Sequence, residues 1–531
     1  MGTGLLTASR SLSRLDRRWI TVALWLGMGL GLALCYIGEM RLVMLAALLL
    51  FGGLAAVRPD LALLFVPLTT PLFLTPIVLP TTGRQLALPP HELALLVTAA
   101  TTLPTMLVQR YRSRVLIATI DDSRRTAKLS SIVRRLSSRA LGTSPSRSRW
   151  LYCVARRYAP EALLLVSGVA GVLMAVPEPE ALHDALRAFR WFIAEPLLFV
   201  AMVHSHRFWR QAAPRVDPAT HARRMINAFV IGGAAVALVG IIQFMFYLLH
   251  AHSEPASFAA SAGALGGMRR ITSVYGNPNN LALYLGRVWP LAAALAIVDQ
   301  GRRTNDQRRQ MLVFGFSAVV CLIGLLLSLS RGAWLGASVA LIILIIPAAR
   351  RRFGRRLLPG ILTAGSVLAA AILVIFALRG GLLGGSSNVR ILFWQESLKL
   401  LDQHPWGVGL DQFFYYHHPA YGRSQIDPAL ANTQERYARQ PHNLIFELWL
   451  NLGPLGVLAF GWLLARWLGH ALATLRAPAD AGTAAIARGA IAAVAAALVH
   501  GLVDSFYFWP AIAIAFWLLL GVCALLDSQS R

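Results

Sequence analysis

The sequence predicts an all-α polytopic membrane protein of about 12–14 transmembrane helices, with one large extracytoplasmic loop that contains an amphipathic helix. Three observations predict it. Of 531 residues, 56% are hydrophobic and only 14% are charged, against roughly 25% charged in soluble domains. Apolar stretches recur from Trp19 to Leu526, many near the ~20 residues that cross a bilayer as helix. Arginine and lysine are concentrated in alternate loops, as cytoplasmic segments require.

Residues 1–18 are basic and precede an apolar run, in the manner of a signal peptide. No small-x-small cleavage site follows, and Leu34 in "LALC" stands where a lipoprotein signal needs a small residue. The run therefore reads as an uncleaved first span. Further spans begin near Arg41, Leu61, His91, Pro160, Arg187, Met225, Asn279, Met311, Ala333, Leu357, Asn443, Ala487 and Trp509. With the N-terminus inside, the segments 1–18, around Arg58, 109–158, 204–224, 299–310, 348–356, 466–488 and the C-terminus hold 36 of the 50 basic residues. The other 14 include six in 379–441. Both termini are thus expected to be cytoplasmic, and the net charge of +26 reflects loop topology rather than nucleic-acid binding.

This order divides the chain into a four-span segment 1–108, a basic cytoplasmic linker 109–158, a central membrane bundle 159–378, an extracytoplasmic catalytic loop 379–441 and C-terminal membrane helices 442–531. The linker is rich in Arg and Ser, a composition that anionic headgroups attract. From Asp121 to Arg149 no aromatic residue interleaves with the arginines. Cys35, Cys153, Cys321 and Cys523 are widely separated, without CxxC spacing, so neither a disulfide framework nor a zinc site is indicated.

The run from Met311 to Pro347 is 37 residues long, roughly 55 Å as one helix. That exceeds a bilayer core of about 30 Å, so the run must fold back. The break is expected at Ser330-Arg331-Gly332, where an arginine is costly in lipid and a glycine permissive. The flanks "GRRTNDQRR" and "ARRRFGRR" are both cytoplasmic by charge, which places Arg331 at the opposite face.

In the large loop, Asn388 onward carries Ile391, Trp394, Leu398 and Leu401 at helical spacing and stops at Pro405 and Gly407. An amphipathic helix is expected there, with Arg390 in its first turn and "WGVGL" as the turn after it. His442 then precedes a span that Asn443 can cap. Arg331, Arg390 and His442 converge on one face by topology. Two arginines beside a histidine suit phosphate chemistry, since Arg pairs bidentately with phosphate oxygens and His accepts a proton near neutral pH. Arg269 and Arg270, in the loop 250–278, add positive charge on that side. Arg287 and Asn443 complete the candidate substrate-binding set. Arg187, Arg190 and Glu195 lie near one another, and His500 and Asp504 are one helical turn apart. His404, His417 and His418 lack a carboxylate at ligand spacing, so no metal is expected. Walker, HExxH and GxSxG patterns are missing from the sequence.

The motifs "SRGAWLG" at a hairpin tip, "GNPNNLA" opening a span, "HPWGVG" in the large loop and "HNLIFELWLNLGPLGVLAF" after it resemble the O-antigen ligase and O-antigen polymerase superfamily over about residues 270–526. The resemblance implies a bacterial inner-membrane glycosyltransferase for surface polysaccharide. It would move an undecaprenyl-diphosphate-linked glycan to an acceptor hydroxyl on lipid, glycan or protein, with no cofactor. It carries roles over to three positions: Arg331 and Arg390 as the essential arginines and His442 as the histidine before Asn. Ligase, polymerase and protein oligosaccharyltransferase stay open. The alternative is a polytopic transporter or flippase for a lipid-linked or anionic substrate, using the intramembrane charges Arg190, Glu195, Arg287 and Asp504.

Overall fold

The computed structural model describes residues 2–37, 41–81, 84–104, 147–204, 217–249, 269–297, 304–353, 386–424 and 426–530. Most of the basic linker and the run near Leu357 lie outside these residues.

Helices dominate because apolar side chains in lipid leave the backbone no partner but itself. In chain order they are α1 (Gly2–Ile37), α2 (Arg41–Val57), α3 (90–104), α4 (Arg147–Leu173), α5 (Ala181–Phe189), α6 (Glu195–His204), α7 (Pro218–Leu249), α8 (Pro278–Ala296), α9 (Asn305–Leu327), α10 (Arg331–Phe353), α11 (Ser386–Gln403), α12 (Leu444–Arg476), α13 (Ala481–Gly501) and α14 (Pro510–Ser530). One two-stranded antiparallel hairpin interrupts them, β1 (Ile77–Thr81) and β2 (Arg84–Leu88), with Ile77 opposite Leu88. The sequence reading did not foresee this hairpin, but it leaves the class unchanged.

The protein is a multi-pass membrane protein. Among the described residues six helices are long and apolar enough to cross a bilayer: Trp19–Ile37, Pro218–Leu249, Asn305–Leu327, Leu444–Arg476, Ala481–Gly501 and Pro510–Asp527. Of the other expected spans, the run near Leu357 lies outside the described residues. The run near Leu61 does not continue as an independent span, because Arg41–Val57 and Pro59–Leu72 are bent by 119°. Arg58 sits at that bend and forks onto the buried Asp60 at 2.7 and 2.8 Å. The run near Arg187 is divided by a π-helical turn, Arg190–Ala194. Tyr158–Leu173 and Arg331–Ile346 are apolar but short.

The expected fold-back between α9 and α10 is present, but its break falls earlier than expected. Arg331 and Gly332 are the first residues of α10, and the turn is Ser328-Leu329-Ser330. Leu329, rather than the glycine, takes the left-handed backbone (φ 52°). The two serines supply the bonds that a turn needs: Ser328 Oγ donates to the Leu325 carbonyl at 2.5 Å and accepts the Ser330 amide at 3.3 Å. Gly332 serves packing instead. A Cβ there would lie 2.6 Å from the His500 ring and 2.8 Å from Val503, so only glycine lets α10 approach the end of α13 this closely.

Helix direction then determines where the site forms. Helices α8, α10, α12 and α14 begin, and α9 and α13 end, at the level of this turn. The pairings α8 with α9, α8 with α13, α10 with α13 and α12 with α14 hold these ends side by side.

Candidate functional site

Four segments meet at this level. The turn after α13 carries Asp504, which is 2% exposed. Its two carboxylate oxygens are divided between partners from distant parts of the chain: Arg390 Nη2 donates to Oδ2 at 3.1 Å, and His442 Nδ1 lies 3.1 Å from Oδ1. The Ser505 amide also donates to Oδ1 at 2.8 Å. Burial alone would push the Asp504 carboxyl up. The bond from His442 and the charges of His442, Arg390 and His500 instead hold it well below the usual carboxylate range. An ionised Asp504 fixes the histidine tautomer, with the proton on Nδ1 and a free lone pair on Nε2.

His442 is itself held in an uncommon backbone, φ 53°, which costs about 1 kcal/mol for a side chain of this kind. The residues on either side lock it. Asn443 caps α12, accepting the Ile445 and Phe446 amides at 2.9 and 3.3 Å, and its amide group donates to the Leu502 carbonyl at 2.9 Å. Phe393 of α11 lies 6.0 Å from the His442 ring.

Arg270 approaches from the segment before α8. Its Nε donates to the Ser328 carbonyl at 2.8 Å and its Nη2 to Asn279 Oδ1 at 2.6 Å. Burial, then the charge of Arg390, push its guanidinium below its ordinary value, Asp504 opposes this, and Arg331 adds to it. Arg390, Asp504 and Arg331 are therefore each within electrostatic reach of Arg270. Ser330, beside Arg331, lies 3.3 Å from His500 Nε2 through its hydroxyl. Four helices present their N-termini here, and the positive ends of their dipoles add to the field of the arginines. The arrangement suits an anion flanked by a general base.

Not every expected site residue joins this cluster. Arg287 is buried and donates to the Leu283 carbonyl at 2.5 Å and the Phe506 carbonyl at 2.6 Å. It ties α8 to the turn that carries Asp504. Asn443 likewise has its side-chain amide occupied by main-chain groups and acts as a cap. The Arg269 guanidinium stands 5.3 Å from the centre of the Tyr247 ring. Sequence reasoning placed His500 and Asp504 near the site but did not assign Asp504 to Arg390 and His442.

The expected amphipathic helix is α11 (Ser386–Gln403). Ile391 is 40% and Leu398 58% exposed, while Phe393, Glu396, Ser397 and Leu400 are buried. The polar pair turns inward because it has partners: Glu396 Oε2 lies 2.7 Å from His417 Nδ1, and Ser397 Oγ donates to the Phe393 carbonyl at 2.7 Å. Arg390 falls in the second turn of α11 instead of the first. The "WGVGL" turn follows as expected and nests against a kink in α12 at Gly453 (φ 68°), where a Cβ would meet the Trp406 carbonyl at 2.5 Å.

The intramembrane charges assigned to a transport path are paired. Arg190 bonds Glu92 and Glu195 at 3.1 and 3.2 Å. A cavity of about 870 Å³ lies at the opposite helix ends, where Arg466 meets Glu161 and His470 meets Asp527. No group of side chains fit to hold a metal occurs among the described residues.

Residues 316–461 match the family model described as O-antigen ligase. The match supports the O-antigen ligase and polymerase superfamily for this chain. It spans Arg331, Arg390, His442 and Asn443, and leaves Arg270 and Asp504 outside. No curated protein matches the chain.

Proposed function

We propose that this protein is a glycosyltransferase of the bacterial inner membrane that moves a glycan from undecaprenyl diphosphate to an acceptor hydroxyl, with its site on the extracytoplasmic face. The observation that carries the reading is the shared carboxylate: Asp504 joins Arg390 to His442, with Arg270 and Arg331 close by.

The chemistry follows from that arrangement. The Nε2 lone pair of His442 takes the proton of the acceptor hydroxyl. The oxygen attacks the anomeric carbon, the bond from that carbon to the diphosphate breaks, and the electron pair leaves with the diphosphate. The anomeric centre inverts in this single displacement. Negative charge grows on the leaving group as the bond lengthens, and the arginines are already in place to meet it. Asp504 stabilises the imidazolium that forms. The ion pair of Arg190 with Glu195, and the bonding of Arg287 to main-chain carbonyls, favour this reading over a transporter that needs these charges for passage.

Purified protein in detergent, given a lipid-diphosphate-linked oligosaccharide and an acceptor, tests the proposal by mass spectrometry of the product. His442→Ala and Arg390→Ala are each expected to lower the rate by roughly 10²-fold or more. Variants that insert normally and transfer at the wild-type rate would overturn it. Lipid-linked glycans of a strain lacking the protein separate the two family activities: single repeats accumulate when a polymerase is lost, and full polymer when a ligase is lost.

A further inference from the structure

The loop after α11 contains "FFYYHHPAY", Phe413 to Tyr421, which the chemistry above does not use. Its rings divide into an inner and an outer set. Phe413, Tyr415 and His417 are buried. His417 stacks on Phe413 at 5.3 Å and meets Phe393 edge-on at 5.2 Å, and Phe393 is the ring beside His442. The outer set is a strip. His418 lies 5.8 Å from Tyr421 and 5.2 Å from Tyr437, Tyr437 is 49% exposed, and the Arg436 guanidinium stands 4.8 Å over the Tyr437 ring.

The strip is held in register with the site. His417 Nε2 lies 2.8 Å from the Glu435 carbonyl while Nδ1 faces Glu396 of α11 at 2.7 Å. Glu435 and Tyr437 share one short helical turn, Gln434–Tyr437, so this clamp ties the strip to the helix that carries Arg390. Tyr437 is five residues before His442, which bounds their separation at about 18 Å.

The surroundings identify the ligand class. Asn432, Thr433 and Gln434 beside the strip are polar and exposed, so it faces water rather than the headgroup belt in which interfacial tyrosines sit. The His418 Nδ1 accepts the Ala420 amide, which makes Nε2–H the outward donor of a neutral ring. Partly exposed rings edged by donors fit a sugar, with its C–H face and rim of hydroxyls. Direction favours the donor glycan. Its reacting carbon is at the lipid end, so its other sugars must extend away from the membrane, whereas a membrane-anchored acceptor reaches the site from the lipid side.

We propose that His418, Tyr421 and Tyr437, with Arg436, form a ledge that holds sugars of the donor glycan beyond the one whose bond breaks. This rests on the transfer reaction proposed above. The test uses the double variant His418→Ala/Tyr437→Ala in the full-length protein, leaving Tyr421 because it packs on the buried Tyr415. Two donors are compared, one carrying a single sugar on the lipid diphosphate and one carrying four or more. For the longer donor KM is expected to rise roughly tenfold with kcat held within twofold, while KM for the single-sugar donor stays within twofold. Tyr437→Phe, which keeps the ring, retains the wild-type KM for both. Equal rises for the two donors, or no rise for either, would overturn the ledge. Saturation-transfer NMR with the oligosaccharide released from the longer donor by mild acid reads the ledge without transfer. Signal on the sugars with wild-type protein and its loss in the double variant supports the ledge even if no transfer occurs, and absence of signal with wild-type protein counts against it.

Discussion

Two buried carboxylate clusters can be set side by side. Around Asp184 and Asp411, two acids share two arginines: Arg187 bonds them at 2.8 and 3.2 Å, and Arg439 at 3.1 and 2.9 Å. Around Asp504, one acid is shared by Arg390 and His442, with Arg270 and Arg331 acting from nearby. The first cluster is balanced and joins α5 to the large loop. The second, among the described residues, joins one carboxylate to partners from two distant parts of the chain. The acids respond in opposite directions. Burial pushes the Asp411 carboxyl up to about 6 against the pull of Arg439 and Arg187, with Asp184 adding to the rise, whereas Asp504 is held low by its partners.

The widest gap is expected between Asp504→Asn and Asp411→Asn. The first removes the charge that orients His442 and is expected to lower kcat by roughly 10²-fold or more. The second should change kcat less than about threefold while destabilising the fold by about 1–3 kcal/mol, seen as a lower Tm. Equal losses of kcat would erase the distinction between the clusters. A smaller effect, and a sharper one, is the sign of pH dependence. Asp504 is depressed in the folded protein, so its contribution to stability is present above the ordinary carboxylate pKa of about 4 and is lost as pH falls through its folded value. Asp411 is raised, so its contribution is full below about 4 and is lost as pH rises through about 6. In Tm measured from pH 3 to 8, the advantage of wild type over Asp504→Asn should shrink on acidification, and its advantage over Asp411→Asn should shrink on going from pH 4 to 7. Parallel curves would sink the assignment. The smallest effect is Asn443→Ala, which removes a cap: about 1 kcal/mol of stability, with kcat/KM within twofold. A large loss of activity there would return Asn443 to the substrate.

The sequence made the helical class legible because lipid demands long apolar runs. The hairpin at Arg331 followed from length alone. The turn itself was displaced by two residues because serine hydroxyls, not glycine freedom, complete it. The inward turn of Glu396 was not legible for a related reason: it looks like a surface residue until His417, far from it in sequence, supplies a partner. Asp504 lay beyond reach for the same reason. It is 114 residues from Arg390 and 62 from His442, and no spacing rule connects them. A carboxylate on the same face as several arginines was the available signal.

The six helix ends that surround Asp504 have a further consequence. A bilayer thicker or thinner than the apolar length of a helix is accommodated by tilt, and tilt displaces the ends of a helix most. A site assembled from ends is therefore sensitive to its solvent in a way that a site buried at mid-span is not. Acyl-chain length in the surrounding lipid is therefore expected to shift the helix starts beside Arg331 and His442 relative to one another.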